Sequence, residues 1–106
     1  MRYTMLMATA LIVQPVLADT EAQIEFYSRV ANSVVKIEAH NTNGRVSIGS
    51  GVMIGEGIAA TNCHVTRHAK SIEVIKGGLS VTAETQTSDL ERDVCILNAP
   101  GMTAPI

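Results

Sequence analysis

The side chains best placed for chemistry lie in two short blocks. In the first, Ser50-Gly51-Val52-Met53-Ile54 is followed across a turn by Ala59-Ala60-Thr61-Asn62-Cys63-His64-Val65, so an apolar strand runs directly into a histidine. An imidazole at the end of a buried strand sits on a barrel rim, oriented by backbone on one side and partly exposed on the other. That setting suits a general base. In the second block, Arg92-Asp93-Val94-Cys95-Ile96-Leu97, a carboxylate directly precedes another apolar strand. An aspartate against the Nδ1 of a histidine fixes its tautomer and stabilises the imidazolium. Asp89 and Glu91 are close in sequence and read as solvated loop; Asp93 is preferred because it abuts the strand.

The surrounding sequence must supply elements that hold these two blocks. Thr20 and Gln23 have the spacing of a capping box, and Ile24, Tyr27 and Ala31, flanked by Val30, recur at helical spacing. A short amphipathic helix is expected over Glu21 to Ala31, ended by Asn32-Ser33. Beyond it the period becomes two: Val35, Ile37 and Ala39 face one way, and Lys36, Glu38 and His40 the other. Asn41 to Gly44 has turn composition, and alternation resumes from Val46 to Ile54. Gly49 and Gly51 share one face of that strand, which signals a bulge or a close backbone approach. Gly55-Glu56-Gly57 turns the chain into Ile58 to Thr61. Ile72 to Lys76, Leu79 to Thr85 and Val94 to Leu97 complete six strands, with Gly77-Gly78 as a hairpin turn. Six short strands joined by glycine-rich turns predict an all-β fold, a six-stranded antiparallel barrel preceded by a short helix. Closure removes the sheet edges.

Composition narrows the function. The chain has 106 residues, is 46% hydrophobic and 17% charged, and carries a formal net charge of −2. Eight basic residues spread along it form no footprint for nucleic acid. Tyr3, Phe26 and Tyr27 are the only aromatics, too few for a stacking surface. Abundant Val, Ile and Ala argue against a disordered tail.

The first eighteen residues read separately. Arg2 is the only charge before Asp19, Met5 to Val13 is a nine-residue apolar run, and Val16-Leu17-Ala18 has the residues of a cleavage site. This is the layout of a signal peptide cut between Ala18 and Asp19, and the run is too short to span a membrane. The expected organisation is residues 1–18 as signal and 19–106 as the barrel, exported to the periplasm or beyond. No membrane association is expected after cleavage. The remaining 88 residues would fold with a small core.

The two blocks together resemble a family. Gly49-Ser50-Gly51-Val52 through Thr61-Asn62-x-His64-Val65, then Asp93-Val94-x-Ile96-Leu97, is similar to the first barrel of trypsin-like serine peptidases of the chymotrypsin fold. The likeness is to the exported bacterial HtrA/Deg-like branch. The helix leading into Ser33-Val34-Val35-Lys36-Ile37 also matches how those domains begin, and the resemblance runs from about Ile24 to Gly101. It implies His64 as general base, Asp93 as its orienting carboxylate, a polypeptide substrate, and no metal or organic cofactor. It also implies a nucleophilic serine beside an oxyanion hole on a second barrel. The residues after Asp93 contain no serine, and Ser50 precedes the histidine and reads as structural. The reading is therefore an N-terminal portion of a serine-type endopeptidase, inactive alone.

Cys63 and Cys95 lie one residue before His64 and two after Asp93. If the histidine and aspartate meet, so do the cysteines, and an oxidising compartment favours a bridge between them over two free thiols. Cys63, His64, His68 and Cys95 could alternatively bind a metal, with His64 and His68 on one helix face, although the CxxC and HExxH signatures are absent. A small metal-binding periplasmic protein is thus one alternative. The other is a non-catalytic, stand-alone barrel that binds a partner or is an inactive remnant. Such a barrel would self-associate through the apolar face left uncovered.

Overall fold

The computed structural model describes residues 20–106, so the signal peptide expected over residues 1–18 lies outside the described residues. Helix α1 (Glu21–Ser33) starts with the capping box that its sequence encodes. The Gln23 N–H donates to Thr20 Oγ1 at 3.1 Å, and the Thr20 N–H donates to Gln23 Oε1 at 2.9 Å. The helix runs two residues beyond its expected end. Ser33 Oγ donates back to the Arg29 carbonyl, and Lys76 Nζ donates to the carbonyls of Ala31 (2.8 Å) and Val34 (2.7 Å). These bonds satisfy carbonyls that a helix C-terminus otherwise leaves to water. Ile24, Phe26, Tyr27 and Val30 remain about half exposed, so the apolar residues of α1 are not packed into the barrel core.

Six strands follow: β1 (Val34–Asn41), β2 (Val46–Gly55), β3 (Ile58–Thr61), β4 (Ala69–Lys76), β5 (Leu79–Asp89) and β6 (Val94–Asn98). They form a closed antiparallel barrel in the order β1-β2-β3-β6-β5-β4, the expected fold class. The alternation read in β1 is the burial pattern. Val35, Ile37 and Ala39 are at most 2% exposed and point inward, and Val35 and Ile37 join Met53, Ala59, Val74 and Leu97 in one core cluster. Ala99 and Met102, beyond β6, plug the same core.

Two strands are longer than their hydrophobicity suggests. β4 begins at Ala69 rather than Ile72, because Ala69 and Ser71 pair with Asn41 and His40 of β1 across a register shift. β5 continues past Thr85 to Asp89 because its second half pairs with β6, again across a register shift. That half carries mostly exposed polar side chains, so backbone pairing rather than burial defines it.

Gly49 and Gly51 in β2 mark close approaches, not a bulge. A Cβ at Gly51 would lie 2.9 Å from the Ala60 carbonyl oxygen and 3.1 Å from Ile37 Cδ1. A Cβ at Gly49 would lie 2.6 Å from Val65 Cγ2. Gly78, by contrast, has open space around it. Gly51→Ala should therefore destabilise the barrel by about 1–3 kcal/mol through overpacking against backbone, while Gly78→Ala should stay within about 0.5 kcal/mol of the parent. Chemical denaturation of both variants checks this, and equal midpoints would contradict it.

Candidate active site

The pairing of β3 with β6 creates the site. Thr61, the last residue of β3, is opposite Cys95, the second residue of β6. In an antiparallel pair, the chain leaving β3 must then lie beside the chain entering β6, which brings Asn62 to His64 alongside Asp93. Thr61 secures the exit from β3 by donating Oγ1–H to the Ser50 carbonyl at 2.7 Å. Ser50 thus contributes a backbone acceptor.

His64 does not end a strand, as the sequence suggested. It lies on a one-turn helix, α2 (Cys63–Thr66), with Asn62 at the N-cap in an extended conformation. Four residues are too few for helical periodicity to register. α2 anchors itself through Val65, buried over the bare backbone of Gly49, while its neighbour His64 points outward with its side chain 64% exposed.

Asp93 binds His64 at two points. One carboxylate oxygen accepts the His64 backbone N–H at 2.8 Å, and the other faces the ring Nδ1 at 2.6 Å. With the carboxylate ionised, Nδ1 carries the proton, which leaves Nε2 as the ring's acceptor in the neutral imidazole. The bond from the His64 side chain, followed by that from its backbone N–H, holds the Asp93 carboxyl below its ordinary value of 3.8. Asp93 adopts a φ of 58°, in the left-handed region where Asp and Asn are the best tolerated residues after glycine. Nothing in the sequence signalled this conformation.

The expected Cys63–Cys95 disulfide is present, with Cα atoms 5.0 Å apart. It ties the start of α2 to β6 next to the His–Asp pair. For a sequence separation of 32 residues, a bridge stabilises by roughly 3–4 kcal/mol in the chain-entropy model. The bridge removes both thiolates from the metal set considered above. His68 is also separated from His64, since α2 ends at Thr66. Among the described residues, no group of three or more His, Cys, Asp or Glu side chains is arranged to hold a metal. His40, on the outward face of β1, is half-buried and lies 3.0 Å from Glu38 Oε1.

Beside the pair, Val34, Val52, Ala60, Asn62 and Val94 line a shallow, mainly apolar recess of about 330 Å³. Its three valines are each more than a third exposed. Among the described residues no helix is long and apolar enough to cross a membrane.

No family model and no curated protein matches the chain. Solved structures do. The chain is 32% identical to an HtrA-type protease, AlgW, solved with a tripeptide, over 74% of this chain and 26% of that one, with a TM-score of 0.67. It is 27% identical to a serine endoprotease from Yersinia pestis, over 85% and 33% of the two chains, with a TM-score of 0.70. It is 25% identical to the active form of the Rv3671c protease from M. tuberculosis, over 98% and 48%, also with a TM-score of 0.70. This is a trypsin-like, HtrA-related barrel. The chain spans between about a quarter and a half of the length of these proteases.

The pairing in the HtrA-related barrel has a pH signature. Because the Asp93 carboxyl lies below its ordinary value in the folded chain, the unfolded chain binds its proton first as pH falls. The stabilisation is complete above the ordinary value of 3.8 and is lost as pH drops through the folded value. Asp89, lowered by its bonds with Arg92, contributes in the same direction. Asp93→Asn keeps the left-handed backbone and removes the charge, so its stability should fall less steeply below pH 4 than the parent's. Urea titrations at stepped pH measure this, and parallel acid limbs for the two proteins would contradict it.

Proposed function

We propose that this chain is the N-terminal, His–Asp-bearing barrel of a serine-type endopeptidase acting on polypeptides. The observation that carries the reading is the double contact of Asp93 with the backbone and ring of an exposed histidine. A carboxylate on Nδ1 leaves Nε2 free to take a proton from a serine hydroxyl as that hydroxyl attacks a peptide carbonyl. Asp93 stabilises the imidazolium so formed, and His64 then returns the proton to the leaving amine. In this reading the nucleophile, oxyanion hole and specificity pocket lie on a second barrel, which the likeness to longer HtrA-type proteases supports. The apolar recess lined by Val34, Val52 and Val94 is the surface such a barrel would cover. The chain alone would self-associate through it. No metal or organic cofactor takes part in this chemistry.

Export fits the same reading. Residues 1–18 have the layout of a cleaved signal peptide, and a disulfide next to the working residues suits an oxidising compartment such as the periplasm.

The test is activity of the complete gene product toward unfolded polypeptide, with labelling by a serine-directed fluorophosphonate. His64→Ala and Asp93→Asn should each lower turnover by about 10⁴-fold, and His64→Ala should abolish labelling. Turnover and labelling that survive both substitutions would overturn the assignment. A product that neither cleaves nor labels would favour the non-catalytic barrel.

A further inference from the structure

Asn62 occupies the N-cap of α2 but does not cap it: its side chain makes no hydrogen bond to that helix. Instead Nδ2 donates to the backbone carbonyl of Asp93 at 3.1 Å, across 31 residues of sequence. A carbonyl oxygen can only accept, so the amide nitrogen must be the group facing it. A side chain at an N-cap ordinarily works as an acceptor, and Ser, Thr, Asp and Asn all serve in that role. Only asparagine among them also offers an amide N–H. Asn62 thus uses the one property that distinguishes it from the other capping residues.

The recipient is the residue whose conformation most needs holding. Asp93 stands at a φ of 58°, and its own N–H donates to the Leu90 carbonyl at 3.3 Å. That bond restrains the entry to Asp93, and the bond from Asn62 restrains the peptide leaving it. Between the two, the direction of the Asp93 side chain from its Cα is set. The carboxylate then meets both the His64 N–H and the ring. We propose that Asn62 is a positioning residue that fixes the Asp93 backbone so that its carboxylate orients His64. The inference rests on the reading of His64 and Asp93 as a working pair and adds the residue that keeps them aligned.

Imidazole ¹H–¹⁵N spectra of the full chain, with its disulfide formed, report the His64 Nδ1–H directly and require no nucleophile. Asn62→Ser retains a capping acceptor but is too short to reach the Asp93 carbonyl. Its Nδ1–H resonance should move upfield and exchange with water about tenfold faster, the size of one lost hydrogen bond, while the backbone amide spectrum of the barrel stays in place. Asn62→Asp, equal in size but lacking the donor, should behave alike and decides the matter if the serine variant does not fold. An Nδ1–H unchanged in position and exchange would overturn the inference and leave the pair standing. The absence of an Asp93-bonded Nδ1–H in the unsubstituted chain would overturn both. A lack of peptidase activity in the complete product would overturn only the reading of the pair as catalytic.

Discussion

The carboxylate of Asp93 is the point on which the site depends. It accepts two hydrogen bonds from one residue, His64, and these come from different parts of that residue, the backbone and the ring. A single bond to the ring would leave the imidazole free to swing with its backbone. The second bond locks the backbone to the same carboxylate, so ring and main chain are referred to one anchor. Charge-assisted bonds of this kind are shorter and stronger than neutral ones. They survive here in a partly exposed position because the elements on both sides are already fixed.

Those elements are fixed by pairing, covalent linkage and close packing. The β3–β6 register brings the two segments together, the Cys63–Cys95 bridge ties them, and the Asn62 amide spans the remaining gap. Beneath them, Gly49 makes room for Val65, so α2 can lie flat on β2 with His64 directed away from the core. The barrel serves as a rigid frame: its closed order leaves no edge strand to slip, and a one-residue shift between β3 and β6 would carry Cys95 and Asp93 away from their partners. Under the proposed reading, this is preorganisation achieved by half of an active site before the other half arrives.

Much of this was legible in the sequence, where burial and periodicity carry the signal. The alternation of Val35, Ile37 and Ala39 marked the inner face of β1, and Ile58–Thr61 was placed correctly after its glycine turn. The placement of Cys63 and Cys95 about the candidate residues anticipated their bridge. Features made by backbone pairing or by single bonds were not legible. The polar second half of β5 is held by β6, not by apolar contacts, and α2 is a single turn. The left-handed backbone of Asp93 depends on partners that only the fold brings together. Helix α1 shows the opposite case. Its capping box predicted its start, yet its apolar side chains stay exposed, because periodicity describes a face and cannot say what covers it.

If His64 and Asp93 are the His–Asp half of a serine peptidase, the coding DNA beyond the codon for Ile106 must carry the rest. The expected result is an uninterrupted reading frame that reaches Gly-x-Ser-Gly within roughly one further domain, on the order of a hundred codons. A stop codon directly after Ile106 would contradict it, leaving a barrel with an ordered histidine and aspartate but no serine for them to activate.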